Sequence, residues 1–345
     1  MGARLAWLIV PAVAAIALVV VLGAGRGPAP QPPPPKVFAF VSRHGGAELE
    51  RLDRVGARID VVAPNWYELA PGSGLVRAPG GDHRDRLLDI AQARGVRVWP
   101  AVNARTGGSR GWESPEARAR IVASLRAVAL APGAHGVTLD MEELRPFQRR
   151  AFTALVREAS TALDAADRKL AVYVSRSSRA YDWRALARHA DLLLAAGYNE
   201  SWAGSKPGPV TTPKGFADVV DRSLTAAGRR KAVPLLGAFG YRWPQSGRGE
   251  LIGSDDALRL RRSLDAPAQR MAGNERFTAG GDTVVYATAA GLRARWSEAR
   301  DAGVRWIGVF SLGREPAHFW DGLETSRKPD SPRSGGSTNA DPSCC

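Results

Sequence analysis

Cysteine is almost missing from this chain of 345 residues. Its two cysteines, Cys344 and Cys345, are the last two residues, so none is left to form a disulfide within the body of the chain. Small secreted domains that cannot build a large core depend on such bridges. We therefore expect a domain held together by packing, and 44% hydrophobic residues are enough to build its core.

Histidine is also scarce, and its five copies are scattered along the chain rather than grouped as metal ligands usually are. The sequence contains no H-E-x-x-H pair and no Walker lysine motif. These absences argue against a zinc hydrolase and against a P-loop enzyme. We accordingly predict neither a metal nor a cofactor.

Acidic residues are outnumbered, since 48 Lys and Arg against 34 Asp and Glu give a formal net charge of +14. Such an excess is compatible with binding to nucleic acid, to an anionic membrane surface or to an anionic cell-wall polymer. Composition alone does not separate these partners.

Charge is missing altogether from Leu5–Gly25, which follows the short basic start Met1–Arg4. At about 1.5 Å per residue, a helix of this length can cross a hydrocarbon core of roughly 30 Å. We predict that residues 1–26 are a transmembrane signal anchor, with a cleaved signal peptide as the alternative. Either one takes the rest of the chain out of the cytoplasm, anchored to the membrane or secreted, and this location argues against nucleic acid as a partner.

Proline dominates residues 27–35, which predicts a stiff, extended linker. Residues 326–345 are rich in Ser, Gly, Pro and Asp and predict a disordered tail. Residues 36–325 between them form a single predicted body. Its length is close to the roughly 250 residues that are typical of an eight-stranded α/β barrel.

Within this body, short apolar runs alternate with helix-like stretches such as Ser114–Ala129, Phe147–Ala165 and Ala289–Ala302. The alternation predicts an α/β fold with a parallel sheet, which we interpret as a closed (β/α)8 TIM barrel; an open doubly wound sheet is the alternative. Extra segments at Ser254–Ser263 and Asp282–Tyr286 predict a small insertion between strands 7 and 8. The eight strand-like runs are Val37–Ser42, Ile59–Ala63, Val96–Val102, Gly136–Met141, Leu170–Val174, Asp191–Ala196, Ala232–Gly237 and Trp306–Ser311.

The fourth run ends in acidic residues, where an α/β barrel places its active site. Side chains alternate along a strand, so Thr138, Asp140 and Glu142 share one face and the apolar residues between them share the other. Two neighbouring carboxylates repel each other, which tends to raise one pKa, as a general acid requires. A simpler interpretation is that the acids only begin the next helix, and we assign that role to Glu143.

These residues resemble a known signature. His135–Glu142 is similar to the Asp-Gly-x-Asp-x-Asp-x-Glu motif of family 18 glycoside hydrolases and retains Gly136, Asp140 and Glu142. The resemblance extends over about residues 36–322 and is greatest to the chitinase-like subgroup of spore-cortex and cell-wall hydrolases. The other similar segments are Val62–Tyr67, Leu193–Trp202, Gly237–Trp243 and Gly308–Pro316.

The resemblance implies cleavage of β-1,4 linkages in a polysaccharide containing N-acetylglucosamine, such as peptidoglycan or chitin, by substrate-assisted retaining catalysis. It implies that Glu142 is the acid, that Asp140 orients the substrate acetamido group, and that Tyr198 binds the carbonyl oxygen of that group. The substrate-binding residues that it implies are Thr138, Trp66, Tyr67, Asn199, Tyr241, Trp243 and Phe310.

The chain departs from the family pattern at four positions. His135 and Thr138 replace aspartates, Asn199 replaces the aspartate after the tyrosine, and Phe310 replaces a tryptophan. The alternative function is therefore a catalytically inactive, glycan-binding barrel. Glu315 matches a family position, although a charge at a helix N-terminus before Pro316 explains it equally well.

Overall fold

A parallel sheet surrounded by helices forms the centre of the computed structural model, which describes residues 32–42, 45–69, 76–77, 83–105 and 111–327. The described strands are β1 Lys36–Val41, β2 Val61–Pro64, β3 Tyr67–Leu69, β4 Val76–Arg77, β5 Arg97–Val98, β6 Ala101–Arg105, β7 Gly136–Glu142, β8 Lys169–Val174, β9 Leu192–Ala196, β10 Ala232–Gly237, β11 Phe239–Trp243, β12 Glu250–Gly253, β13 Gln269–Met271, β14 Asn274–Ala279, β15 Asp282–Ala287 and β16 Trp306–Phe310. The described α-helices are α1 Gly46–Val55, α2 Arg84–Ala93, α3 Pro115–Ala129, α4 Arg149–Asp164, α5 Trp183–His189, α6 Pro213–Lys231, α7 Ser254–Ser263 and α8 Ala289–Asp301, and short 3-10 turns cover Gly56–Arg58 and Pro146–Gln148.

The strand pairing fits the predicted TIM-like barrel. The last parallel strand, β16, pairs with β1, and from β6 the parallel order continues through β7, β8, β9 and β10 back to β16. The third predicted run is split into β5, which pairs with β2, and β6, which pairs with β7. Because β5 and β6 are separated only by Trp99 and Pro100, and β3 pairs with β6 as β2 pairs with β5, the parallel order closes at this strand.

The sheet divides the core into two layers. An outer cluster joins the strands to the helices and includes Val137, Leu139 and Met141 of β7 together with Phe152 of α4. An inner cluster contains side chains of the opposite strand parity, among them Phe38, Phe40 and Tyr173. The predicted alternation along β7 is therefore confirmed, because its apolar residues face the helices.

Several outer helices begin with a side-chain cap, which fixes where each loop ends. The Ser114 hydroxyl accepts a hydrogen bond of 3.2 Å from the amide of Ala117, and Pro115 occupies the first helical position, as predicted. Asp182 caps α5 in the same way. Because helices in such a barrel run back alongside the strands, these starts lie at the end of the barrel where the strands finish.

The predicted insertion between the seventh and eighth barrel strands is confirmed. It holds α7 and a five-stranded antiparallel sheet in the order β12-β11-β15-β14-β13. Two buried side chains connect it to the barrel: the Asn274 amide of β14 donates to the carbonyl oxygen of Thr211 at 2.9 Å, and the Arg295 guanidinium of α8 donates to that of Ala272 at 2.6 Å.

Residues Pro33–Cys345 form one compact unit that contains every strand and helix given above. In the ranges that the structure describes, no helix is both long and apolar enough to cross a membrane. The predicted anchor over residues 1–26 lies outside these ranges, as do most of the predicted linker and residues 328–345 of the predicted tail. Ser326 and Arg327 are described and bonded to the barrel, for example through the amide of Ser326 to the carbonyl oxygen of Pro35 at 2.8 Å.

Candidate active site

Two carboxylates project from the inner face of β7 at different depths. The Asp140 residue is 7% exposed, whereas Glu142, at the last position of the strand, is half-buried. In the parallel register, Asn103 and Arg105 of β6 are the backbone partners of Asp140 and Glu142. The deeper and the shallower acid therefore sit one above the other at the end of the barrel where the strands finish.

Two buried tyrosines lie next to these carboxylates. Burial, followed by the charges of Asp140 and Glu142, raises the pKa of Tyr198 well above its usual value. Burial also raises the pKa of Tyr173, with contributions from Tyr198 and from the same two acids. Each phenol thus lies within electrostatic range of both carboxylates and stays protonated, as a hydrogen-bond donor must. The structure therefore brings together Asp140, Glu142 and Tyr198, the three predicted catalytic residues.

A third tyrosine holds the end of β7. The Tyr181 hydroxyl donates to the carbonyl oxygen of Met141 at 2.6 Å, between the two acids in sequence. Burial and the nearby acids, with Asp140 first among them, raise its pKa. The ring of Tyr181 lies edge-on to that of Tyr173 at 6.4 Å, so it also fixes the neighbouring phenol.

Aromatic rings form the floor and one wall beside these groups. The half-buried Phe310 ring lies 5.5 Å from Tyr198 at an interplanar angle of 33°, and 5.3 Å from Phe40. Along the wall, the Tyr241 ring lies 5.4 Å from Trp243, and its hydroxyl bonds the side-chain oxygen of Asn199 at 3.2 Å. Tyr241, Trp243, Asn199 and Phe310 are thus grouped around Tyr198, as expected for residues of one site.

Trp66 and Tyr67 lie elsewhere. Both are buried in the outer cluster, where the guanidinium of Arg84 covers their rings at 4.8 and 5.8 Å. Buried faces that already contact a guanidinium do not present themselves to a sugar ring. The two aromatic residues predicted from the second strand are therefore not brought together with the other candidates.

His135 and Thr138, which depart from the family signature, lie at different levels along the barrel axis. His135 precedes β7 at the opposite end of the barrel, where its Nδ1 accepts a hydrogen bond of 3.2 Å from the amide of Val98. Asp60 and Asp191 accept equivalent bonds from Val37 and Leu170, both at 2.9 Å. His135 thus replaces a carboxylate as an acceptor for the neighbouring strand, far from Glu142.

Thr138 lies directly below Asp140 on the inner face, fully buried, and its hydroxyl donates to the carbonyl oxygen of Trp99 at 3.1 Å. This position therefore holds a neutral, hydrogen-bonded hydroxyl in place of the second aspartate of the signature.

The interpretations of Glu143 and Glu315 as charges at the start of a helix are wrong. Glu143 does not begin a helix, because it adopts a left-handed backbone conformation (φ 60°) and α4 starts only at Arg149, after the 3-10 turn. Glu315 does not begin a helix, because turns follow it, and it is fully buried between Arg51, at 3.4 Å, and the indole nitrogen of Trp320, at 2.7 Å.

Sequence reasoning missed Tyr173, Tyr181 and Phe239. Strand parity could have found the first, since Tyr173 follows Ala171 on β8 and both belong to the inner cluster. Phe239 contacts three candidate rings, those of Tyr198, Tyr241 and Phe310. It starts the inserted sheet, so the pattern of the barrel strands gave no signal for it.

The chemistry available here is that of carboxylates and phenols. Among the described residues, no three His, Cys, Asp or Glu side chains lie close enough together to hold a metal ion. A shallow acid such as Glu142 can donate a proton to a sugar. The deeper carboxylate and the phenol donors, above an apolar floor, can orient one of its polar groups.

Comparisons with known proteins point to chitinase-like enzymes on this fold. The chain is similar to the crystal structure of a chitinase from Chromobacterium violaceum ATCC 12472, with a TM-score of 0.74 and 23% identity, over 83% of this chain and 96% of that one. No family model matches the chain.

Relatives of Bacillus subtilis (strain 168) agree. One is the uncharacterized glycosylase YvbX, 20% identical over 309 residues, which are 82% of this chain and 89% of that protein. Another is the cortical fragment-lytic enzyme, 30% identical over 122 residues, which are 32% of this chain and 28% of that enzyme. A third match covers 44% of the relative, so for two of the three relatives the alignment spans less than half of their length. These matches confirm the predicted resemblance, and the class of enzyme to which their names point is the predicted one, a glycosidase.

Proposed function

We propose that this chain is a glycoside hydrolase that cleaves β-1,4 linkages of a polysaccharide containing N-acetylglucosamine, with peptidoglycan or a chitin-like polymer as the substrate. The observation that carries the proposal is the convergence of Asp140, Glu142 and Tyr198 at one end of the barrel. The names of its relatives, a chitinase and a cortical fragment-lytic enzyme, support this class of substrate.

In the proposed reaction, the carboxyl group of Glu142 donates its proton to the glycosidic oxygen while the bond from that oxygen to the anomeric carbon breaks. The acetamido oxygen of the substrate forms a bond to the same carbon, which gives a cyclic oxazolinium ion. Glu142, now a carboxylate, takes a proton from water as the water oxygen opens the ring. The product therefore retains its anomeric configuration.

The depth of the other groups suits their proposed roles. Asp140, below Glu142, accepts a hydrogen bond from the acetamido N–H and stabilises the positive charge that develops on the ring. Tyr198 donates to the acetamido oxygen and aims it at the anomeric carbon. Phe310 supplies an apolar floor below the sugar, and Tyr241 and Trp243 line the wall.

This mechanism depends on the acetamido group of the substrate, and that dependence can be tested. We expect hydrolysis of N-acetylglucosamine oligomers with retention of configuration, followed by proton NMR of the first product anomer. Glucosamine oligomers of the same length should be inert, because their free amine offers no oxygen nucleophile. Equal hydrolysis of both series, or an inverted product, would exclude the mechanism.

A glycan-binding barrel without turnover is the second candidate, and the departures at Thr138, Asn199 and Phe310 favour it. It predicts saturable binding of N-acetylglucosamine oligomers in calorimetry while chromatography of the same samples shows only intact oligomer. Turnover by the wild type would eliminate it.

We also propose that residues 1–26 anchor the chain so that the barrel lies outside the cytoplasm. The support is the uncharged run Leu5–Gly25 in the sequence. The full chain, expressed in a bacterial host, should stay with membranes after alkaline carbonate extraction and be digested by protease added to spheroplasts. Release by carbonate, or protection from protease, would contradict this topology.

A further inference from the structure

Basic residues surround the end of the barrel opposite the proposed active site. In a (β/α)8 arrangement, strand starts and helix ends share one face, and strand ends share the other. We call the first face the basal rim and define it by the positions that precede or begin the barrel strands. Its cations include Lys36, Arg97, Lys169, Arg188, Arg229 and Arg305.

Three of these cations are forced into a row by the backbone. The amide of Arg305 donates to the carbonyl oxygen of Arg229 at 3.0 Å, and the amide of Lys36 donates to that of Arg305 at 2.9 Å. All three side chains are exposed, and no ion pair to them is found within the described ranges. Lys36 begins β1 and Arg305 directly precedes β16, and neighbouring strands are only about 4.8 Å apart, so the sheet holds these two charges close together; Arg229, near the end of α6, joins them through its backbone hydrogen bond with Arg305.

Other parts of the rim are partly neutralised or add to the field. Lys169 pairs with Asp191 at 3.2 Å, and Arg94 pairs with Asp53 at 2.8 Å. Near the end of α5, burial and three nearby cations, Arg188 foremost, lower the pKa of His189. The positive field is thus strongest from α5 through β10 and β16 to β1.

Apolar groups accompany these charges. Leu130, which ends α3 on this face, is 41% exposed, and Arg168 bonds the neighbouring carbonyl oxygen of Ala129 at 3.0 Å. A cavity of about 420 Å³ lies on the same face, and its lining includes Arg97 and His135 as well as the apolar Leu88, Val96 and Val98. Cations beside apolar side chains match an amphiphile with an anionic head better than a fully hydrophilic polyanion.

The chain itself enters the barrel at this rim. Pro33–Pro35 lead directly into β1, and the amide of Ser326 bonds the carbonyl oxygen of Pro35 at 2.8 Å. In a polyproline conformation of about 3.1 Å per residue, the predicted linker over residues 27–35 spans only roughly 28 Å. An anchored chain would therefore keep the basal rim within reach of the bilayer.

We propose that the basal rim is a docking surface for an anionic lipid bilayer. Lys36, Arg229 and Arg305 contact lipid phosphates, and Leu130, elsewhere on the same face, enters the interface. The strand ends, with Asp140 and Glu142, then face away from the membrane, toward the polymer outside it.

The test uses residues 33–345, the compact unit that holds all described strands and helices, so that the predicted anchor does not bind vesicles by itself. We expect this fragment to co-sediment with vesicles of equal parts phosphatidylcholine and phosphatidylglycerol, and not with pure phosphatidylcholine. The triple variant Lys36→Glu, Arg229→Glu, Arg305→Glu should bind the anionic vesicles at least about tenfold more weakly. Added salt should weaken the wild type in the same direction.

The matched control reverses three exposed cations near the opposite end of the barrel, Arg150→Glu, Arg179→Glu and Lys206→Glu, with the same change in net charge. It should lose less than about twofold of the affinity, since it leaves the rim intact. Thermal unfolding monitored by circular dichroism establishes that each variant folds. Equal losses in the two triple variants, or no binding by the wild type, would overturn the proposal.

Leu130→Gln separates a lipid surface from other polyanions. It should weaken binding to anionic vesicles and leave binding to duplex DNA or to a soluble teichoic acid unchanged. If the wild type binds DNA or teichoic acid more tightly than vesicles, with the same loss in the rim variant, the partner is a polyanion and the lipid assignment fails.

Discussion

At the residue scale, depth distinguishes the two acids of β7. Asp140 is nearly buried, and Glu142 is half-buried because the strand ends there. A proton donor must reach the bridging oxygen between two sugars, which the shallower residue does more easily. In the proposed mechanism, the deeper one would meet the acetamido group of a ring that lies on Phe310.

The phenol of Tyr198 gives a prediction that separates hydrogen bonding from packing. Tyr198→Phe keeps the ring contacts with Phe310 and Phe239, and we expect kcat to fall by roughly tenfold to a thousandfold because a donor to the reacting group is lost. The pKa of Tyr198 is raised, so the phenol is already neutral where a glutamic acid titrates. The alkaline limb of the pH–rate profile should therefore keep its position in the variant.

Tyr286→Phe is the control for this prediction, since it removes a phenol that bonds Glu275 in the inserted sheet, outside the site. It should leave kcat unchanged. A loss of rate in this control as large as in Tyr198→Phe would mean that the effect is structural.

His135 offers a second prediction at this scale. Its Nδ1 accepts a backbone hydrogen bond equivalent to those that the carboxylates of Asp60 and Asp191 accept. His135→Asp should therefore preserve both stability and activity. His135→Ala leaves the Val98 amide without this acceptor, and we expect the free energy of unfolding to fall by about 1 kcal/mol. Urea denaturation of His135→Ala measures this loss of stability. An increase of kcat in His135→Asp would contradict the prediction that this variant preserves activity.

At the scale of elements, alternation along the strands was the most informative signal in the sequence. All eight apolar runs became barrel strands, with the third split at Trp99–Pro100. Alternation also placed Asp140 and Glu142 on the inner face. Trp66 and Tyr67 lie away from the other candidates, because the chain turns after β2 and Tyr67 begins the short strand β3, so parity along β2 does not tell which side either ring takes. Packing of the Trp66 ring under Arg84 sets the side that this ring takes.

The segment after β16 shows how helix α1 and the inserted α7 hold the floor of the site. The amide of Leu312 bonds the carbonyl oxygen of Phe40 at 2.9 Å, and that of Ser254 bonds Arg314 at 2.7 Å. In the same segment, the buried carboxylate of Glu315 contacts both Arg51 of α1 and Trp320. These contacts fix the segment that follows Phe310.

Burial raises the pKa of Glu315 above its ordinary value of 4.5 despite the charge of Arg51. The folded state therefore binds this proton more tightly than the unfolded state, and its stabilising contribution is lost as pH rises through the folded pKa. We expect the stability of Glu315→Gln relative to wild type to increase from pH 4.5 toward neutrality, because the variant lacks this loss. Denaturant unfolding across that range checks it, with the exposed Glu50→Gln as control; a difference that is constant or of opposite sign would contradict it.

At the scale of the whole molecule, the two faces of the barrel differ in chemistry. Asp140, Glu142 and the buried tyrosines lie where the strands end, and the row of Lys36, Arg229 and Arg305 lies where they begin. The net charge of +14 gave no hint of this separation, because composition carries no position. The order of strands and helices along the chain carries it, since every strand start shares one face.

The central claim is that Glu142 is the proton donor, and the adjacent Glu143 supplies a matched control. Release of reducing ends from N-acetylglucosamine oligomers and from peptidoglycan should fall by roughly a hundredfold or more in Glu142→Gln. Glu143→Gln makes the same chemical change at an exposed residue one position on, outside the strand, and should keep the rate of the wild type. Equal rates for wild type and Glu142→Gln would contradict the account.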